Sequence, residues 1–94
     1  MNKQLLILLF LSTLLIQCQP SQANKNEDNL NKITKGMHVV EVERIMGTPD
    51  GIENVPLNET EFILRYKSPT GFSGDFQIFV SRQDSTILRV YRGD

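Results

Sequence analysis

The sequence predicts an α+β domain in which two short helices pack on one side of a three-stranded antiparallel sheet. Two observations predict this class: one amphipathic segment that ends in clear helix-stop residues, and three later segments in which apolar and polar residues alternate. The connections between these alternating segments are short, which favours an antiparallel meander over parallel strands joined by crossover helices. With 94 residues, the chain has room for one such domain.

Both predicted helices precede the strands. Leu30 and Ile33 are three residues apart, which suits one helical turn that ends before Gly36. The second helix ends at Gly47, and Pro49 two residues later is a typical stop signal. The apolar residues of this second helix fall on one face and are Val39, Val42, Ile45 and Met46.

The three predicted strands are separated by turn-forming residues and cover residues 61–66, 75–81 and 86–91. The segment before them, residues 50–60, contains Gly51 and Pro56 and is predicted to be a loop. The third strand has bulky side chains on both faces, so alternation alone leaves its inward face open. In the first two strands, one face carries Phe62, Leu64 and Tyr66, then Phe76, Ile78 and Val80.

The N-terminal segment resembles the signal peptide of bacterial lipoproteins. A lysine precedes an apolar run over residues 5–16, which is too short to cross about 30 Å of hydrocarbon. The sequence Leu-Ile-Gln-Cys at residues 15–18 resembles a lipobox, although Gln17 replaces the small residue that usually precedes the cysteine. The resemblance implies that residues 1–17 are removed and that Cys18, the sole cysteine, is lipidated.

A lipidated Cys18 implies a membrane anchor that does not span the bilayer, because two acyl chains give stable association. Gln19 is not the aspartate that retains lipoproteins in the inner membrane of enteric bacteria, so the resemblance favours the outer membrane and a domain that faces the periplasm. Residues 18–31 are almost entirely polar and are predicted to be a flexible tether, which leaves residues 32–94 as the domain.

Composition excludes several classes of function. A formal net charge of -1 gives no electrostatic footprint for nucleic acid. One cysteine and one histidine cannot supply a structural zinc site of the Cys/His kind, and a lone cysteine has no partner for a disulfide framework. We therefore predict no metal, no other cofactor and no nucleic-acid partner.

Catalytic residues are not predicted either. His38 is the sole imidazole, and no spacing in the sequence places a nucleophile or an orienting group beside it. A small hydrolase that uses His38 is one hypothesis for the function of this chain. A surface histidine at the start of a helix is the simpler interpretation.

Arginine and aromatic residues on the predicted strands are candidates for protein binding, because these residue types dominate binding hot spots. The alternative is an ordinary solvated sheet face. The candidate protein-binding residues are Arg65, Tyr66, Phe79, Arg89 and Tyr91.

The pattern Ile33-x-x-Gly36-Met37, followed by Val42-x-x-Ile45-Met46-Gly47-x-Pro49, resembles the signature of the SmpA/OmlA (BamE-type) family. These proteins are small outer-membrane lipoproteins, accessories of the β-barrel assembly machine, with an ααβββ element order. The family commonly has a threonine where this chain has His38. The matched residues shape the fold and mark no binding site.

The resemblance implies a small membrane-anchored lipoprotein that acts as a non-catalytic protein-binding adaptor, in outer-membrane β-barrel assembly or envelope integrity. The partners would be the membrane, through the N-terminal lipid, and a protein of the cell envelope. The same helix-and-sheet unit also resembles β-lactamase-inhibitor-like proteins, so an inhibitor-like or other ligand-binding module is the alternative.

Overall fold

The computed structural model describes residues 21–93, which form two helices and one four-stranded antiparallel sheet with its strands in chain order. The α+β class is confirmed, whereas the prediction of three strands is wrong by one. The helices are α1 (Gln22–Leu30) and α2 (Val39–Met46). The strands are β1 (Gly51–Val55), β2 (Asn58–Tyr66), β3 (Phe76–Ser81) and β4 (Ile87–Tyr91).

Strand β1 replaces the loop that the sequence predicts over residues 50–60. It pairs with β2 from Gly51 opposite Arg65 to Val55 opposite Asn58, with a register shift near its end. The hairpin turn consists of Pro56 and Leu57, and Leu57 has a φ of 61°. Proline followed by a residue with positive φ fits a type II turn. The turn-forming residues are therefore part of a hairpin and do not belong to an open loop.

Helix α1 lies within residues 18–31, which the sequence predicts to be a flexible tether, and precedes the turn from Leu30 to Ile33 at which the sequence predicts the first helix, so both predictions are corrected. Ser21 caps the helix. Asn26 and Leu30 are each 1% exposed, and the Asn26 side-chain amide donates to the Lys67 carbonyl at 2.9 Å. A polar segment is thus ordered through one buried amide and one buried leucine.

Helix α2 ends before Gly47, as the sequence predicts. Val42 and Met46 are buried in the core, with Val39 and Ile45 packed against it. His38 caps the helix itself, because its Nδ1 accepts a hydrogen bond from the Val40 N–H at 3.1 Å.

The core lies between the two helices and the inward face of the sheet. Strand alternation turns one face of β2 and β3 inward, with Leu64 and Tyr66 of β2 and Phe76, Ile78 and Val80 of β3 buried, and a bulge determines the inward face of β4. Val80 pairs with Ile87 and Phe79 with Arg89, so one extra residue in β4 turns Ile87 inward, and Val90 also packs against the core. The buried cluster consists of Leu30, Ile33, Val42, Met46, Leu64, Tyr66, Phe76, Ile78, Val80 and Ile87.

Candidate functional site

The side of the sheet opposite the helices is the candidate site and is called the outer face. Four of the five predicted protein-binding residues lie on it, because strand alternation and the observed register place them away from the core. The outer face consists of Glu53, Glu61, Ile63, Arg65, Gln77, Phe79, Arg89 and Tyr91.

Tyr66 is the predicted residue that does not belong to the outer face. It is 1% exposed and lies in the core cluster. Its hydroxyl donates to the Gly47 carbonyl at 2.8 Å, which joins the end of β2 to the end of α2. The prediction of Tyr66 as a binding residue is corrected, since the same alternation that places Arg65 outward places its neighbour inward.

Arg89 is the centre of one cluster on the outer face. Its guanidinium lies 4.0 Å from the centre of the Phe79 ring, in cation–π geometry. Two nitrogens of the same group donate to the two carboxylate oxygens of Glu61, at 2.9 and 3.0 Å. These hydrogen bonds hold the pKa of Glu61 below its usual value and raise that of Arg89. The guanidinium is therefore fixed in orientation, with its other face toward solvent.

Arg65 is the centre of a second cluster. It donates to Asp75 at 2.8 Å and to Glu53 at 2.9 Å, and these bonds raise its pKa. The neighbouring strand carries Gly51 at the paired position, where an added Cβ atom would collide with an Arg65 guanidinium nitrogen. The glycine therefore leaves the space into which the guanidinium folds.

The electrostatic balance of the outer face is close to neutral. Arg65 and Arg89 are both paired, and the three acids that pair with them are Glu53, Glu61 and Asp75. Neither arginine is available as a free cation for a phosphate group. Recognition on this face would depend on aromatic rings and planar guanidinium groups, with Tyr91 47% exposed beside them.

The acidic partners of the two arginines are absent from the residues that the sequence predicts for this face. Glu61 lies on β2 four residues before Arg65, so alternation places both side chains on one face. That signal was available in the sequence. Glu53 gave no comparable signal, because it lies in the segment predicted to be a loop.

A groove of about 560 Å³ lies at the end of the sheet where the two outer hairpins turn. It begins beside Glu61 of the outer face and continues past Leu88, the extra residue of the β4 bulge. The other lining residues are polar and are Glu59, Thr60, Ser81, Arg82 and Gln83.

The described residues offer little catalytic or metal-binding geometry. The Nδ1 atom of His38 is engaged in capping α2. Within residues 21–93, no group of three or more His, Cys, Asp or Glu side chains is arranged to hold a metal ion. No helix in this same range has the length and apolar composition needed to cross a membrane. Cys18, the predicted lipidation site, lies outside the described residues.

The Arg92-Gly93 pair is tied into the fold. Gly93 is buried, and its carbonyl accepts a hydrogen bond from the Ser73 N–H at 2.9 Å. Arg92 donates to the Asn31 side chain at 2.9 Å. These contacts hold the end of the described chain against the β2–β3 loop and the end of α1.

A comparison of the chain with models of known families, with curated proteins and with solved structures finds no significant match.

Proposed function

We propose that this chain is a lipid-anchored, non-catalytic adaptor of the bacterial cell envelope, which binds a protein partner through its outer face. The process would be β-barrel assembly at the outer membrane or maintenance of the envelope. The observation that carries the proposal is the arrangement of Phe79, Arg89 and Glu61, which holds the Arg89 guanidinium 4.0 Å from the centre of an aromatic ring at an open sheet face.

This arrangement suits protein binding for two reasons. Arginine and tyrosine are among the residue types that contribute most to interface energies. An arginine that is already held by Glu61 and Phe79 loses less conformational freedom when a partner binds, and such ordering costs about 0.5–1.5 kcal/mol per long side chain. Arg89 and Tyr91 are therefore the residues on which we expect partner affinity to depend most.

The membrane anchor in this proposal is Cys18, as the lipobox-like sequence of residues 15–18 predicts. The intact mass of the protein extracted from membranes tests it directly. Mature protein that begins at Cys18 with added acyl mass is the expected result. An unmodified Cys18 would remove the anchor from the proposal.

Partner binding is tested by affinity capture of the tagged full-length protein from detergent-solubilised membranes of its host. Arg89→Ala and Tyr91→Ala are each expected to reduce recovery of the partner at least tenfold, which is ~1.4 kcal/mol and within the range of hot-spot residues. The matched control is Leu57→Ser at the β1–β2 turn, where the leucine is fully exposed. Thermal melts verify that all three variants fold.

Unchanged recovery in both outer-face variants would contradict the proposed binding surface. Enrichment of a β-barrel insertase would support the assembly role, whereas enrichment of other envelope proteins would support the adaptor role in another process.

The alternative function is an inhibitor-like or other ligand-binding module, and the groove beside Glu61 is the feature that favours it. Capture of a secreted enzyme, lost in Gln83→Trp but retained in Tyr91→Ala, would support this alternative. Gln83 lines the groove and Tyr91 does not, so the two variants separate the two surfaces.

A further inference from the structure

The distance between the predicted lipidation site and the folded domain is short. Ser21, which caps α1, lies three residues after Cys18. Three peptide units span at most about 11 Å, because a fully extended chain covers up to 3.6 Å per residue. Helix α1 does not lengthen this connection, because the helix is part of the folded domain. Its Asn26 and Leu30 side chains are buried against the rest of that domain.

Helix α1 lies at one end of the sheet. Its Asn26 contacts Lys67 directly after β2, and Asn31, directly after the helix, accepts from Arg92, directly after β4. In the antiparallel order, these positions and the loop over residues 68–75 all lie at the same end, which we call the anchor end.

The two hairpin turns, residues 56–57 and 82–85, lie at the opposite end together with the groove. Strand β2 has nine residues and connects the two ends. At about 3.3 Å per residue, the ends are roughly 30 Å apart, which is well beyond the reach of the three-residue connection.

We propose that the domain, when anchored through Cys18, lies directly on the lipid surface with its anchor end against the bilayer and its hairpin turns and groove directed away. The proposal rests on the proposed function, because it requires the lipid on Cys18. Lys25 and Lys67 are exposed at the anchor end, where their ammonium groups can contact headgroup phosphates.

This orientation limits the kind of protein that can bind the outer face. The strands extend away from the membrane, so the outer face stands beside the bilayer within about 40 Å of its surface. A protein that binds this face would itself be embedded in the same membrane or attached to it.

The test couples the chain from Cys18 onward, which contains all described residues, to a maleimide headgroup lipid in nanodiscs. Cys18 is the sole cysteine, so coupling is specific. Nanodiscs that contain a gadolinium-chelating lipid broaden the amide resonances of residues close to the bilayer. The matched control carries fifteen added Gly and Ser residues between Gln19 and Pro20.

We expect amides in the first turn of α1 and in residues 68–75 to be broadened at least threefold more than amides in residues 56–57 and 82–85. The inserted linker should remove most of this difference. Equal broadening at both ends in the unmodified chain, or stronger broadening at the hairpin turns, would overturn the orientation. Because coupling is chemical, this outcome is independent of whether Cys18 is lipidated in cells, which the intact mass decides.

Discussion

The Tyr66 side chain joins strand β2 to helix α2, and its titration affects the stability of the domain. Its hydroxyl donates to Gly47 at the end of α2. Burial raises the pKa of Tyr66 to about 12 from an ordinary value of 10.0, and the negative charges of Glu43 and Asp50 act in the same direction. The folded state therefore favours the neutral phenol more strongly than the unfolded chain does.

A raised pKa in the folded state sets the sign of the pH dependence. The stabilisation by neutral Tyr66 is fully present below pH 10 and is lost as the pH rises toward 12, by at most ~1.4 kcal/mol per pH unit. We expect the difference in unfolding free energy between wild type and Tyr66→Phe to shrink over this range in urea titrations. A difference between wild type and Tyr66→Phe that stays constant from pH 8 to pH 11 would contradict this account.

The absence of a side chain at Gly51 leaves room for the Arg65 guanidinium. Alanine at position 51 would meet the Arg65 guanidinium and displace it from Glu53 and Asp75. We expect Gly51→Ala to be less favourable for stability in the wild-type background than in an Arg65→Ala background, where no guanidinium meets the added methyl group. A double-mutant cycle on urea midpoints measures this coupling. Equal costs in both backgrounds would show that the glycine serves another purpose.

Among the secondary-structure elements, α2 depends on an unusual cap. His38 replaces the serine, threonine or aspartate that commonly starts a helix, and its Nδ1 accepts from Val40. We expect His38→Ala to destabilise the domain by about 0.5–2 kcal/mol and His38→Ser to restore most of the loss. Thermal or urea unfolding measures both. If His38→Ala were neutral, or His38→Ser no better than alanine, the cap would contribute nothing.

The predictability of each element follows from how its residues are buried. Helix α2 is predicted correctly because its apolar residues recur at helical spacing and Gly47 and Pro49 end it.

Strand β1 is missed because it is a short edge strand in which Ile52, Glu53 and Asn54 are all exposed, so no alternation of polarity marks it. Helix α1 is missed because it is held by Asn26 and Leu30, and the contact of Asn26 with Lys67 joins residues 41 positions apart.

The outer face is also predictable from the sequence only in part. Alternation along β2 and β3 predicts that Arg65 and Phe79 share a face, and the register confirms it. The pairing of Arg89 with Glu61 depends on the bulge in β4, which shifts the register by one residue and has no signature in the sequence. In a strand with bulky residues on both sides, the inward face is therefore decided only by the register with the neighbouring strand.

For the whole molecule, helix α1 determines where the folded domain begins. The described domain has 73 residues (21–93), and typical stabilities of 0.05–0.15 kcal/mol per residue correspond to about 4–11 kcal/mol in total. Leu30 contributes a fully buried side chain to the core, and truncation of such a leucine costs about 2–5 kcal/mol. Helix α1 therefore accounts for a large share of the stability.

A chain restricted to residues 32–94 removes α1 and with it Leu30 and the Asn26 contact. We expect this fragment to lose cooperative unfolding, or to melt well below the chain that begins at Cys18, because it exposes the core surface that Leu30 covers. A chain that begins at Ser21 is the matched control and should melt with the longer one, since it retains α1 and its cap. Thermal denaturation followed by circular dichroism distinguishes the three. If the 32–94 fragment melted at the same temperature as the control, α1 would be dispensable, and the segment before residue 32 would act as the tether that its polar composition suggests.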